Sequence, residues 1–381
     1  MPAPADALTL LVTTYNRYPR LRRLLRYAAS VRTPYAIHVL DSSSEPLERN
    51  ELGGLLRGHQ VLHRIFEPST SPMQKLWEGL KAVSTPYVVL WADDDFLVPR
   101  SLASGVDFLE QHQEYSEVHG QSALFTMETL DGRPVPGCMP YWQCAMTHEA
   151  ASQRLRAYFG RYGVLNYAIH RTEHLQQHVQ LCCQHDLGYW WGELALGSLA
   201  AIRGRVKRLD CLYLLKEARQ GMDSWATWLG GTEAGASPDF FDWVTGPTFS
   251  QQYEVFRTCV TDVLAQADGT DVRTAQEAVK EAFWSYLAKM STAKWHQRYG
   301  GGPRRGQPRR LREAARRIPG LRAAWRRARY LLPHRPGELS LPALLHPASP
   351  YHADFMPIYR AIMASDDASP TESGLAVAGT T

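Results

Sequence analysis

The 381-residue sequence contains no apolar run approaching the ~18–20 residues a membrane span requires. Its first apolar run, Leu8 to Val12, is too short for the core of a secretory signal and leads into Asn16 and Arg17. Cysteine is scarce and scattered. Cys138, Cys144, Cys182, Cys183, Cys211 and Cys259 make no CxxC pair, and the adjacent Cys182 and Cys183 are poor disulfide partners. A cytosolic, reduced protein with no cysteine-built zinc site is expected. A dinucleotide-dependent dehydrogenase would show a glycine-rich turn after its first strand, but this chain reads Thr14-Tyr15-Asn16-Arg17 there. The glycine-rich basic loop expected near the N-terminus of a sugar nucleotidyltransferase is also missing. No internal repeat is visible, and none of the fourteen histidines falls into a metal-ligand spacing.

The composition, 44% apolar and 21% charged, suits a globular protein with a sizeable core. The length suggests two or three units. Charge is unevenly placed. Between Arg304 and Arg335 there are twelve arginines, no lysine and one acid, Glu313, so that segment carries +11. The whole chain is +4, which leaves −7 on the remainder. A block of one sign marks an interaction surface or a solvated arm.

Residues 8–14 read as a buried β-branched strand, and Pro19 can open the helix that follows. Further strands are expected at Ala36–Leu40, Val61–Phe66 and Tyr87–Trp91, with helices carrying Met73 to Val83 and Leu102 to Leu109. This alternation predicts an α/β fold, a mostly parallel sheet with helices on both faces. After residue 115 the pattern changes. A strand and hairpin are expected around Ser122–Met127 and Asp131-Gly132. Residues 137–185 show no clear period, 187–202 read as a largely buried helix, and 206–215 as a strand or edge segment. A long loop is expected over 220–248, helices over 250–298, a linker from Gly300 to Pro308, and a disordered tail from Ala364.

Ligands of parallel sheets bind beyond the carboxyl ends of the strands. Polar residues collect there: Thr14 to Arg17, Asp41 to Ser44, and Asp93-Asp94-Asp95. Three adjacent carboxylates repel one another, so they need raised pKa values or a cation. Hard ions such as Mg²⁺ or Mn²⁺ take carboxylate and phosphate oxygens together. The cluster therefore suggests a metal that holds a diphosphate, against the alternative of a solvated turn capping the next helix.

The segments LTLLVTTYNRYPRLRRLL, IHVLDSSS and YVVLWADDDFLVPRSL resemble the nucleotide-sugar domain of inverting GT-A glycosyltransferases of family two, closest to a bacterial subgroup. The match covers about residues 6–125 well and 180–220 more loosely. The resemblance implies that Thr14, Tyr15, Asn16 and Arg17 surround the nucleotide. It implies that Asp41 reads the uracil ring edge, that Asp93 lies near the ribose, and that Asp94 is the metal-binding acid, with Asp95 able to share the ion. Lys75 falls where some relatives place a polar group near the donor; as a solvated helix lysine it would have no such role. Arg219, with Lys216 nearby, falls where relatives close a basic residue over the diphosphate; the alternative is a surface charge.

Inverting transfer requires a general base for the acceptor hydroxyl. Glu193, eleven residues before Gly204, aligns with the family's base, although the first acid of the usual pair is missing. Asp186 is the rival. Trp190, Trp191 and Tyr189 could stack on an acceptor sugar or belong to the core, and His185 is a further acceptor-side candidate.

The resemblance implies a GT-A core at 1–125, an acceptor-side part at 126–248, a helical region at 249–300, an arginine-rich amphipathic segment at 301–336, and a C-terminal segment at 337–381. The expected activity is metal-dependent transfer from a nucleotide-sugar donor, by family habit a UDP-sugar. The acceptor would be a sugar, lipid-linked or glycoconjugate hydroxyl. Apolar residues 311, 314, 315 and 318 share one helical face with arginines opposite, which suits a helix on an anionic membrane surface. Such a helix would hold the expected cytoplasmic protein on the inner face of the membrane; a solvated or self-docked arm is the alternative. A nucleic-acid-binding protein or a non-catalytic carbohydrate-binding scaffold are the rival classes. The arginine run lacks a nucleic-acid motif, and a scaffold has no need of the acid cluster.

Overall fold

A computed structural model describes residues 4–45, 47, 54–56, 58–130, 133–218, 240–299 and 337–364. In chain order the elements are α1 (Pro4–Ala7), β1 (Leu8–Thr14), α2 (Tyr18–Ser30), β2 (Ala36–Asp41), β3 (Val61–Ile65), α3 (Pro72–Leu80), β4 (Tyr87–Ala92), β5 (Phe96–Leu97), α4 (Pro99–Gln111), β6 (Tyr115–Leu130) and β7 (Arg133–Tyr141). They continue with α5 (Ala151–Gly160), β8 (Ile169–Arg171), α6 (Thr172–Gln184), α7 (Tyr189–Arg203), β9 (Arg205–Glu217), α8 (Phe240–Val244), α9 (Phe249–Asp268), α10 (Val272–Tyr299), α11 (Leu341–Leu345) and α12 (His352–Met363).

The strands form one sheet in the order β3-β2-β1-β4-β8-β6-β9-β5, with β7 paired to β6. β3, β2, β1 and β4 are mutually parallel. Beyond them the direction mixes: β8 is antiparallel to β4 and β6, and β9 runs parallel to β6. The expected α/β sheet, mostly parallel with helices on both faces, is what the chain forms. β1 shows why its sequence is a continuous apolar run. Leu8, Leu10 and Val12 enter one core with α2 and α4, while Leu11 enters the other with α3, α6 and α7. Proline opens α2, α3 and α4, where a missing N–H costs nothing. Ser71 also caps α3, accepting from the Gln74 N–H at 3.2 Å.

The register fixes the functional rim. Thr14 pairs with Asp41 and Thr13 with Ala92, so the residues after β1, β2 and β4 emerge at one edge. β5 pairs with β9 through Phe96 and Leu215, which brings Lys216 and Glu217 beside Asp95.

Residues 206–215 form the expected strand within β9, at an interior position held by both β6 and β5. Other segments differ from expectation. The stretch without clear period holds α5, β8 and α6. Their faces bury polar groups, Arg154 and His178 among them, which blurs the apolar pattern. Arg154 donates to the carbonyls of Ala201 and Ile202, both at 2.7 Å, and so satisfies the end of α7. Residues 337–364 fold back, with Leu344, Phe355 and Ile358 entering the core beside α2. All six cysteines are free thiols. No helix among the described residues is long and apolar enough to cross a membrane. The hairpin tip at Asp131-Gly132, most of the expected loop at 220–248, the arginine-rich segment and the tail lie outside the described residues.

Candidate active site

The loop after β1 turns through Asn16, whose φ of 53° is one that asparagine tolerates better than most residues. Its backbone N–H donates to Ser43 Oγ at 2.8 Å, and its side-chain Oδ1 accepts from the Ser44 N–H at 2.9 Å. The loops after β1 and β2 are thereby clasped together. Thr14 Oγ1 donates to Asp93 Oδ2 at 2.8 Å. Arg17 Nη1 reaches Asp93 at 3.2 Å and Asp94 at 3.3 Å. Tyr15 is half-buried in the same loop. The structure thus brings together Thr14, Tyr15, Asn16, Arg17, Asp93 and Asp94.

The three consecutive acids have different surroundings. The Asp93 side chain is 3% exposed, that of Asp94 10% and that of Asp95 1%. Burial, and then the neighbouring Asp94 charge, push Asp93 up to about 6 against the pull of Arg17 and Thr14. Asp95 turns inward. Its Oδ1 accepts from the Glu217 backbone N–H at 2.9 Å, and its Oδ2 lies 3.6 Å from Lys216 Nζ. Burial lifts it to about 7 although Lys216 opposes the shift. Asp95 therefore braces β9, and sharing an ion with Asp94 does not suit its orientation. Among the described residues no three His, Cys, Asp or Glu side chains form a metal cage. Asp94 alone, completed by phosphate oxygens, matches the sparse protein ligation usual for Mg²⁺.

Asp41 is closed off. Its carboxylate accepts from Tyr18 Oη at 3.0 Å and the Ser43 N–H at 2.9 Å, and meets His63 Nε2 at 3.2 Å. Burial alone would raise it, but these hydrogen bonds outweigh burial and hold it below its usual value. Tyr18 and His63 share Oδ2 and the Ser43 N–H takes Oδ1, so Asp41 is engaged within the fold on both oxygens. Lys75 is not a solvated helix lysine. It is 5% exposed and donates to the Thr14 carbonyl at 2.9 Å and to Ser42 Oγ at 2.8 Å. Burial pulls its ammonium down to about 8, opposed by Asp93 and Asp41. It fastens the ends of β1 and β2 from beneath.

Glu193 lies in the first turns of α7 and is 6% exposed. The Tyr162 hydroxyl donates to its Oε1. Tyr158 packs close to the same helix because Gly197 has no side chain; a Cβ there would meet the Tyr158 Oη at 2.1 Å. Burial pushes Glu193 up to about 8, against Tyr162 and Lys216. Lys216 thus acts on both Glu193 and Asp95, which ties the base candidate to the acid-rich rim. Asp186 is exposed in the turn after α6, at φ 48°, far less desolvated than Glu193.

The aromatic candidates for acceptor stacking are largely core. Trp191 is 4% exposed and packs on Trp243, Phe249, Phe256 and Phe283. The apolar faces of α9 and α10 cover it, so it offers no ring to a sugar. Trp190 is half-buried, with one face stacked on Trp243 at 5.5 Å and 15°. His185 ends α6, its backbone N–H bonded to the Leu181 carbonyl. Arg219 lies outside the described residues.

Some site residues escaped the sequence reading. Tyr18, His63 and Tyr162 come from three different elements or loops. Arg23 from α2 binds Glu217 and the Asp94 carbonyl, and Arg20 lies 3.6 Å from Glu217. Only the arginine spacing in α2 hinted at this, since 20 and 23 share a face that turns toward the rim.

No family model matches the chain, and no curated protein matches it. Among solved structures it is similar to S. aureus TarS 1-349 in complex with UDP-GlcNAc, at 17% identity and a TM-score of 0.48, over 77% of this chain and 76% of that one. It is also similar to S. aureus TarS 1-349 in complex with UDP, at 16% identity and a TM-score of 0.39, over 80% and 94%. A third structure, S. aureus TarS, gives 14% identity and a TM-score of 0.37, over 74% and 55%.

Proposed function

We propose that the protein is an inverting glycosyltransferase of the GT-A type that takes its sugar from a nucleoside diphosphate, by preference a UDP-sugar. The observation that carries this reading is the joining of Thr14, Arg17, Asp93 and Asp94 at the carboxyl edge of parallel strands, linked through Asp95 and Lys216 to Glu193. Cations at that edge suit a diphosphate, and a desolvated carboxyl nearby suits proton transfer near neutral pH.

In this mechanism Glu193, deprotonated, takes the proton of an acceptor hydroxyl. The freed oxygen attacks the anomeric carbon from the face opposite the diphosphate. The bond from that carbon to the diphosphate oxygen breaks, and the leaving group keeps the electron pair. The new bond has inverted configuration. Arg17 supplies positive charge as the diphosphate leaves. Asp94 would hold Mn²⁺ or Mg²⁺, which supplies further neutralisation of the diphosphate when bound. The acceptor belongs to a polysaccharide, glycolipid or glycoconjugate. The arginine-rich segment 304–335 would hold the enzyme on the inner face of an anionic membrane.

Incubation with radiolabelled UDP-, GDP- and dTDP-sugars, with and without Mn²⁺, tests the reading. Wild-type protein should release or transfer label from one of them in Mn²⁺, and Glu193→Gln should not. Label turned over by neither protein, or equally by both, contradicts it.

A further inference from the structure

Next in the chain to Tyr141 and Tyr162, two arginines share one tryptophan at the surface. The guanidinium of Arg161 lies 4.3 Å from the Trp142 ring centroid and that of Arg208 lies 4.2 Å from it. Trp142 is 45% exposed, Arg161 is exposed and Arg208 half-buried. Two like charges held around one ring repel each other, and the indole quadrupole offsets only part of that. Such a pair ordinarily has a carboxylate between or beside it. Here neither guanidinium has one within ion-pair distance among the described residues. The nearest acid along β9, Asp210, instead accepts from Tyr351 at 2.8 Å and from Gln121 at 3.3 Å. Among the described residues Arg208 donates to the Gln143 carbonyl alone, at a long 3.4 Å.

The platform under the pair is stiff. Gln143, next to Trp142, is 2% exposed and accepts from Ser122 Oγ at 2.9 Å. Gly163 packs so closely that a Cβ there would lie 3.0 Å from the Trp142 carbonyl oxygen. The Arg161 carbonyl in turn accepts from Cys144 Sγ. Each guanidinium above this platform is a planar fork that matches a phosphate or carboxylate.

The position relative to Glu193 gives the pair its meaning. Tyr162, directly after Arg161, donates to Glu193. Tyr141, directly before Trp142, has its hydroxyl pKa raised by burial and by the charges of Glu193 and Asp95. Both chain segments that carry the platform therefore run into the wall around the base.

We propose that Arg161 and Arg208, held on Trp142, form an anion subsite for the acceptor, and that the acceptor carries a phosphate or carboxylate near the hydroxyl presented to Glu193. The proposal rests on the transferase reading for the word acceptor; the anion subsite itself does not.

Calorimetric titration at low salt with glucose 6-phosphate, glucuronate, glucose and inorganic phosphate tests it on the full chain. Glucose 6-phosphate or glucuronate should bind wild-type protein, and glucose should not at the same concentrations. Which of the two binds distinguishes phosphate from carboxylate. The double variant Arg161→Gln/Arg208→Gln should weaken that binding ~10-fold or more, the scale of a lost charge-assisted hydrogen bond. Its melting temperature and its affinity for UDP in Mn²⁺ should stay at wild-type values, which shows that the fold and rim are intact. Equal binding of the sugar anion by wild type and the double variant overturns the subsite, as does no binding to either. Inorganic phosphate binding as tightly as the sugar anion overturns the assignment to a sugar acceptor. Loss of UDP binding by wild type with the sugar-anion difference preserved removes the transferase reading and leaves the anion site standing.

Discussion

Lys216 serves two buried carboxylates at once: its ammonium lies 3.6 Å from Asp95 Oδ2, and its charge holds Glu193 down against burial. The same nitrogen meets the Tyr167 hydroxyl at 3.3 Å and lies over that ring. Through this one side chain the end of β9 couples the acid-rich turn after β4 to the first turns of α7. The acid-rich sheet edge and the helix that carries Glu193 thus share an electrostatic link.

Removing that ammonium should therefore be costly and pH-dependent. Lys216→Met leaves buried carboxylates without their cation and should cost ~3–5 kcal/mol in urea unfolding at pH 8. At pH 5.5 the loss should be much smaller, since Asp95 at about 7 and Glu193 at about 8 are then already protonated. The same loss at both pH values would argue that Lys216 acts by packing alone.

Glu193 should set an acid limb. As a base it works deprotonated, so kcat/KM for the transferase should rise with pH toward a limb near 8. Glu193→Gln should lower kcat ~10²-fold or more and remove that limb, with UDP affinity kept. Asp186→Asn should behave as wild type. Loss of turnover in Asp186→Asn with Glu193→Gln unaffected would move the base to Asp186.

The same group gives a stability signature. Its folded value is raised from 4.5 to about 8, so the folded state holds the proton more tightly than the unfolded chain. That contribution is full below 4.5 and is lost as pH rises to about 8. Glu193→Gln cannot titrate. Between pH 5 and pH 9 its stability should therefore gain on wild type by a few kcal/mol, roughly the size of such a shift. A constant difference across that range would show that Glu193 is not desolvated as described.

Lys75 and Trp191 separate structural from ligand roles. Lys75→Met removes two hydrogen bonds to a buried charge and should cost ~2–3 kcal/mol, where a solvated helix lysine would cost under ~0.5. Trp191→Ala should cost ~3–5 kcal/mol, as for a large core aromatic. If either variant melts with wild type while its substrate kinetics change, the ligand role first expected for it is restored.

Much of the N-terminal half was legible because both faces of its sheet are covered. β1 and β4 must then be apolar throughout, and polar residues can gather only where the strands end. Thr14, Asp41 and Asp93 were found in this way. What the pattern cannot give is the direction of a side chain beyond the strand. Asp94 and Asp95 are neighbours in sequence, yet one faces the rim and the other pairs with β9. Trp190 and Trp191 divide similarly across α7. The tyrosines near Glu193 were missed because 141, 158, 162 and 286 come from distant segments, and no local period connects them. Arg154 and His178 hid two helices by placing polar groups on buried faces.

The central claim, that the rim around Asp93 and Asp94 holds a nucleoside diphosphate with a divalent cation, is tested most directly by calorimetric titration of UDP, GDP and dTDP in Mn²⁺ and in EDTA. One of them should bind wild-type protein in Mn²⁺ and lose ~10-fold or more in affinity in EDTA or in Asp94→Asn, with the melting temperature of that variant near wild type. No binding of any of the three to wild-type protein, or equal affinity for wild type in Mn²⁺, wild type in EDTA and Asp94→Asn, would contradict it.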